Sequence, residues 1–315
     1  MDAIAKRLPK AFLVKLQKTF PAYWHIIVRG LCEKKPVSFR VNLIKSSKKE
    51  IVSALKMRNL KFTQLNFPEN SFLFHDNKRL LQQLEIYKEG KIYIQNISSM
   101  LPPIVLGPEK HNAIVDMCAA PGSKTTQIAA MLGNQTRILA IEKVKPRFYK
   151  LLSNLKLQGA DSVEAVLSDA AYYLNKKTTQ KFDKILLDAP CSSEGRFNPY
   201  NPKSFAYWSE RKVKEMRKKQ KRLILSACNA LQKSGLLLYS TCTFSPEENE
   251  LVIDWLLNKI DFLKIVPIKI NLANIMPALT EYQGKDLNPD IKHTVRILPE
   301  GPMEGFFMCL LRRVK

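Results

Sequence analysis

From about residue 110 onward, short apolar runs of strand length alternate with longer stretches of helical periodicity, and this alternation narrows the possible folds more than any other feature. Runs over 113–117, 137–142, 163–167, 182–188 and 235–240 read as strands, and the stretches 125–132, 146–158, 210–232 and 246–259 as helices. Strands separated by a helix-length crossover pair parallel, so the pattern predicts an α/β chain, a mostly parallel sheet with helices on both faces. Runs over 294–298 and 305–311 read as a closing pair that gives the sheet an antiparallel edge. Ligands of open sheets of this kind gather beyond the carboxyl ends of the strands, so the residues at those ends are the first to inspect.

The preceding part of the chain is different. Residues 1–34 are helical in pattern, with Phe12, Leu13, Leu16 and Phe20 on one face and Pro21 interrupting the run. An alternating strand over 37–42, a helix over 48–57, strand signals around Phe62, Leu65 and 72–74, and a helix over 80–84 follow. A small α+β module over residues 1–90 is expected, with the α/β domain over 91–315. The second part opens on 92–100 and a helix over 101–106, whose first turn tolerates Pro102 and Pro103.

Charge points to the partner. The chain carries 51 Lys and Arg against 28 Asp and Glu, a net charge of +23 over 315 residues, which favours a polyanion, nucleic acid first among them. No apolar run approaches the roughly 18 residues of a membrane span, so no membrane role is expected. The six cysteines form no Cys-x-x-Cys or Cys/His cluster. That argues against a zinc site or a disulfide framework and for a reducing compartment. The segment 1–9 lacks the apolar core of a secretory signal, so a cytoplasmic location is expected.

Five strand ends carry chemistry. Asp116-Met117-Cys118-Ala119-Ala120-Pro121-Gly122-Ser123-Lys124-Thr125 joins the first strand of the alternating part to its helix, and its small residues let backbone amides approach a ligand. It is neither the Gly-x-Gly-x-x-Gly fingerprint nor a phosphate loop, and it suits an amino-acid-bearing nucleoside such as S-adenosylmethionine better than a pyrophosphate. Glu142, at the next strand end, is placed to accept both hydroxyls of a ribose, and Asp169, at the third, to meet an adenine amino group. The fourth and fifth strands lead into Asp188-Ala189-Pro190-Cys191-Ser192-Ser193-Glu194-Gly195 and Ser240-Thr241-Cys242-Thr243, the latter trailed by Glu247-Glu248-Asn249. Cys228 and Cys309 sit in apolar surroundings and read as core. Cys191 and Cys242 stand among polar residues and turn formers, where a lowered thiol pKa is attainable.

These blocks, with Arg40-Val41-Asn42 upstream and the terminal Gly305-Phe306-Phe307, resemble the signatures of the RsmB/NSUN-type family of S-adenosylmethionine-dependent RNA cytosine-5 methyltransferases over residues 36–313. Ser123 and Ser193 depart from the pattern, standing where the family often has glycine. The resemblance implies a Rossmann-like class I methyltransferase sheet, an RNA-binding role for the amino-terminal module and a structured RNA as substrate, ribosomal RNA first and transfer RNA as the alternative. It implies Cys242 as nucleophile and Cys191 as the residue assisting release, with Asp188 at the N3/N4 edge of the base. Cofactor contacts carry over to Cys118, Ala119, Ala120, Pro121, Gly122, Ser123, Lys124, Glu142, Asp169 and Asp188, with Arg147 in support. Arg40 and Asn42 become supports for RNA or for the site.

Two thiols suit this chemistry. Cytosine C5 is a poor nucleophile until a thiolate adds at C6, and the C5 proton must then leave as the thiolate is expelled. Two other readings compete: a DNA cytosine-5 methyltransferase, with the Pro-Cys cysteine as nucleophile, and a non-catalytic RNA-binding ribosome-assembly factor. Cys242 and the absence of a Glu-Asn-Val-like block count against the first, and the intact motifs against the second. The basic stretch 210–225 is read as a phosphate-binding face.

Overall fold

The computed structural model describes residues 3–315; Met1 and Asp2, which belong to the amino-terminal segment read above for a signal, lie outside the described residues. Two helices come first, α1 (Lys10–Thr19) and α2 (Trp24–Cys32). An antiparallel sheet follows, built of β1 (Val37–Val41), β2 (Phe62–Gln64), β3 (Ser71–Phe74) and β4 (Ile92–Ile94) in the order β2-β3-β1-β4. Helices α3 (Lys48–Met57), α4 (Lys78–Gln83) and α5 (Glu85–Lys88) accompany it. Its core is Phe39 stacked on Phe72 at 5.2 Å, with Ile51 and Leu55 of α3 fully buried beside them. The apolar face of α1 turns elsewhere: Phe12 and Leu16 cluster with Ile27, Phe197, Phe244 and Leu298.

The second sheet has nine strands. They are β5 (Ile114–Asp116), β6 (Ile138–Glu142), β7 (Val163–Leu167), β8 (Phe182–Asp188), β9 (Leu231–Thr241), β10 (Leu263–Val266), β11 (Ile275–Met276), β14 (Val295–Ile297) and β15 (Phe306–Arg313), while β12 (Glu281–Tyr282) and β13 (Lys285–Asp286) form a separate hairpin. The order is β11-β14-β15-β9-β8-β5-β6-β7, with β10 also on β15. Strands β5 to β9 pair parallel and the carboxy-terminal ones antiparallel, the architecture expected from the alternation. Along β8 the side chains alternate: Ile185 and Leu187 join one core, and Leu186 the other on the opposite face. Cys228 and Cys309 are fully buried in the first.

Helices α6 (Ile97–Leu106), α7 (Ser123–Met131), α8 (Lys145–Gln158), α9 (Ala170–Lys176), α10 (Glu210–Ala230) and α11 (Glu250–Leu257) cover the faces; among the described residues none is long and apolar enough to cross a membrane. Strand β4, expected to open the second part, instead pairs with β1 in the small sheet, and other details differ from expectation as well. Helix α6 begins four residues early because the Asn96 side chain caps it, accepting from the Ser98 N–H, so Pro102 and Pro103 fall inside it rather than in its first turn. The Ser99 carbonyl, for which Pro103 has no N–H to offer, accepts instead from the Gln95 amide at 2.9 Å. Strand β9 starts at Leu231 rather than 235, its ladder with β8 broken by a bulge, and α9 follows an Asp169 cap that the apolar pattern did not signal.

Candidate active site

Strands β8 and β9 are neighbours in register, with Asp188 opposite Ser240 at their carboxyl ends. Cys191 and Cys242 therefore leave the sheet side by side. Their sulfurs lie 3.4 Å apart, well beyond the roughly 2.05 Å of a disulfide, so both are free thiols in contact. The contact polarises the pair. A hydrogen bond from Cys191 lowers the Cys242 thiol, helped by the charge of Arg196 and opposed by burial, whereas holding that bond pushes Cys191 well above its ordinary value. Ser193 Oγ lies 3.6 Å from Cys242 Sγ. Ser193 has φ +60°, the left-handed region, which explains why a glycine suits this place.

The two cysteine loops hold each other through buried carboxylates. Glu194, three residues past Cys191, accepts from Thr243 Oγ1 at 2.9 Å, Phe244 N at 3.1 Å and Ser245 Oγ at 2.6 Å on the Cys242 side. Glu248, six past Cys242, accepts in return from Ser192 N at 3.0 Å, from the Ser192 hydroxyl, and from Gln220 at 2.8 Å. Burial pushes the Glu248 carboxyl up to about 8. The Glu194 and Glu248 positions stand within the quoted motifs, but their partners lie some fifty residues away, and one-dimensional spacing carries no sign of that.

A cavity of about 670 Å³ spans the strand ends from Glu142 to Cys242. At the ends of β8 and β9, Asp188 Oδ2 takes a bond from Lys124 Nζ at 2.6 Å and Oδ1 one from Ser240 Oγ at 2.8 Å, while Lys124 also reaches Ser99 Oγ at 2.8 Å. Asp116 lies beneath, bonded by Thr125 Oγ1 at 2.7 Å, its carboxyl pushed up to about 6 by burial. Burial also raises the Cys118 thiol well above its ordinary value.

On the other side, Gly122 enters α7 at φ +105°, and the loop carbonyls of Ala120 and Pro121 are tied by Arg147 at 2.6 Å and Asn154 at 2.7 Å. Cys118, Ala119, Ala120, Pro121, Ser123 and Lys124 line the cavity; Gly122, at the turn, does not. Glu142 is 3% exposed; its Oε1 accepts from Val144 N at 2.7 Å, and its Oε2 receives no hydrogen bond, although Arg147 stands 3.3 Å away. A buried carboxylate oxygen left without a donor at a cavity wall is what a ribose hydroxyl satisfies, so the residues present fit a nucleoside cofactor. Asp169 differs: it caps α9 and binds Arg222 at 2.9 and 2.6 Å and Lys143 at 2.9 Å. Burial alone raises its carboxyl, but those hydrogen bonds hold it well below the usual carboxylate range.

The upstream block lies behind this loop. Arg40 is 4% exposed and donates to Ser123 O at 3.3 Å, Thr126 Oγ1 at 2.8 Å and Gln95 Oε1 at 2.8 Å, and Asn42 is fully buried, bonding Gly90 O and Gln158 O at 2.8 Å. Both support the site from inside, and neither offers a surface to RNA. Ser99, Arg196 and Glu304 are among the further cavity residues that escaped the reading of the sequence.

A family model described as "16S rRNA methyltransferase RsmB/F" matches residues 103–312. The tRNA (cytosine(49)-C(5))-methyltransferase of Pyrococcus abyssi is 37% identical over 278 residues, covering 88% of each chain. The ribosomal RNA small subunit methyltransferase F of Shewanella piezotolerans is 34% identical, over 88% of this chain and 57% of its own length. Among solved structures, a methyltransferase homologue from Pyrococcus horikoshii superposes with a TM-score of 0.85 at 29% identity, covering 99% of both chains. NSun6 from the same organism, solved with the S-adenosylmethionine analogue SFG, gives 0.82 at 25% identity over 98% of both.

Proposed function

Because the chain belongs to the RsmB/F family of S-adenosylmethionine-dependent RNA (cytosine-5) methyltransferases, we propose that it methylates C5 of an unstacked cytosine through a covalent bond from Cys242 to C6. One observation carries this reading: two free sulfurs 3.4 Å apart in the same cavity as the orphaned oxygen of Glu142.

Glu142 and the amides of the Cys118–Lys124 loop would hold S-adenosylmethionine, with Arg147 and Asp169 framing the loop and its adenine end. Bound there, the cofactor supplies an electrophilic methyl group. Cys242, the thiol with the lowered pKa, adds to C6 and makes C5 electron-rich enough to take that methyl. Asp188, fixed by Lys124 and Ser240, faces the N3/N4 edge and favours the protonated ring. The proton shared by the two sulfurs gives Cys191 its role in release. While Cys242 is charged, Cys191 must keep its proton; once Cys242 is bonded to carbon, that constraint is gone. Cys191 can then release its proton to solvent and, as a thiolate, accept the C5 proton as the C6–S bond breaks, which leaves Cys191 a thiol and regenerates the Cys242 thiolate.

The small sheet and α10 are taken as the RNA-facing parts, in the cytoplasm, where the thiols stay reduced. On α10, Lys212 and Lys219 pair with Glu215, Arg222 with Asp169, and Lys221 lies over the Trp255 ring, which leaves exposed Arg211, Lys214 and Lys218 for phosphates. Of the two substrate classes, transfer RNA is favoured because the P. abyssi tRNA enzyme matches along 88% of its own length, against 57% for the rRNA enzyme; ribosomal RNA is the alternative. Mapping 5-methylcytosine across total RNA with and without the gene decides between them. Methyl transfer surviving in Cys242→Ala would overturn the mechanism itself.

A further inference from the structure

The terminal Gly305-Phe306-Phe307 block and the end of the Cys191 loop meet at a backbone crossing. Gly195 donates to the Cys242 carbonyl at 2.9 Å, and Gly305 donates to the Gly195 carbonyl at 3.0 Å. No side chain fits there: a Cβ on Gly195 would stand 2.2 Å from the Gly305 carbonyl oxygen, and one on Gly305 2.2 Å from the Phe244 ring and 2.9 Å from the Gly195 Cα. The crossing fixes what flanks it. Arg196 follows Gly195 and Glu304 precedes Gly305, and the two form an ion pair at 3.3 Å on the wall of the cavity that holds both sulfurs. Glu304 is itself pinned by Ser98, which donates to its carbonyl at 2.7 Å and accepts from its N–H at 3.1 Å.

The geometry points to Arg196 as a positioning residue for the nucleophile: tethered by Glu304 and carried on the peptide that bonds Cys242, its guanidinium supplies the positive charge that favours Cys242 as thiolate. Other charges at the site are committed elsewhere. Facing Cys242 are Cys191 and Arg196 from the loop after β8, Asp188 at the end of β8 with Lys124 of α7 bound to it, and Glu304 ahead of β15, while Glu248 lies behind Cys191. Lys124 is bonded to Asp188 at 2.6 Å, whereas Arg196 shares its charge between Glu304, at 3.3 Å, and the sulfur. The electrostatics agree in both directions: after the hydrogen bond from Cys191, Arg196 lowers the Cys242 thiol, and after Glu304, the Cys242 charge raises Arg196. A guanidinium keeps its charge throughout the pH range in which a thiol titrates.

This inference rests on Cys242 being the nucleophile, and its test needs no RNA. The full-length protein is alkylated with iodoacetamide across a pH series, and peptide mass spectrometry follows Cys242 separately from Cys191. Arg196→Gln is expected to move the Cys242 midpoint upward and slow its alkylation at pH 7 about tenfold, the change one pKa unit produces, with Arg196→Lys restoring most of the rate. Glu304→Gln, which still offers Arg196 an acceptor, is expected not to raise the midpoint. The Arg196 side chain is 59% exposed, so its substitution is expected to spare the fold, which an unchanged melting temperature checks. An unchanged midpoint in Arg196→Gln overturns the inference and leaves the proposed function standing, as does a rise in Glu304→Gln as large as that in Arg196→Gln. Preferential alkylation of Cys191 in the unaltered protein instead sinks the choice of nucleophile.

Discussion

The ammonium of Lys124 lies 2.6 Å from one oxygen of Asp188, and the other oxygen is held by Ser240 at 2.8 Å, so the carboxylate at the end of β8 has a single orientation. Lys124 is 7% exposed, and removing its charge leaves Asp188 unpaired at the rim of the cavity. Lys124→Met is expected to slow methyl transfer about a hundredfold, the scale of losing one preorganised charge at a reacting group. Its effect on S-adenosylmethionine affinity, read by calorimetry, should be far smaller. An equal loss in both would assign Lys124 to the cofactor alone.

Glu142 supplies the second prediction. Its Oε1 is committed to the Val144 amide, and its buried Oε2 awaits a donor. Hydrogen bonds to a charged acceptor contribute about 1.5–3 kcal/mol, so Glu142→Ala should weaken S-adenosylmethionine binding about ten- to hundredfold in calorimetry. Unchanged affinity would place the ribose elsewhere.

What the sequence disclosed follows from the range of the forces involved. The alternation of β5 to β9 with helices is local, and so are the two cysteine blocks; strand adjacency turned them into one site. The return bonds of Glu194 and Glu248 and the Arg196–Glu304 pair were not legible, because each joins residues through tertiary contact far apart in the chain. Asp169 shows the converse. A lone acid at a strand end is equally a helix cap, and the cap on α9 together with Arg222 occupies oxygens that sequence reasoning reserved for adenine.

Ser193, at φ +60°, gives a third prediction. A residue with a side chain held in the left-handed region costs about 1–2 kcal/mol relative to its favoured conformations, partly offset in glycine by unfolded-state freedom. Ser193→Gly should therefore raise the melting temperature by about 1–3 °C, as followed by circular dichroism. A fall would show that the hydroxyl 3.6 Å from Cys242 contributes more than the backbone costs.

Glu248 sets a pH dependence. Its folded carboxyl is pushed up to about 8 by burial, against an unfolded value near 4.3. Between those values the folded protein holds a proton that the unfolded chain has released, so this contribution to stability is complete below about pH 4.3 and is lost progressively as the pH rises to about 8. Asp116, pushed up to about 6 by burial, adds a loss of the same sign over the lower part of that window. Glu248→Gln keeps one acceptor oxygen for the Ser192 N–H and Gln220 and offers an N–H to the Ser192 hydroxyl, without the titration. The melting temperature of the unaltered protein should thus fall from pH 5 to pH 8, and that of Glu248→Gln should fall by clearly less, the remainder tracing Asp116. Calorimetric melts of both proteins at pH 5, 6, 7 and 8 decide it: parallel curves would mean that Glu248 is already ionised in the fold and that the bond from the Ser192 hydroxyl reaches a carboxylate.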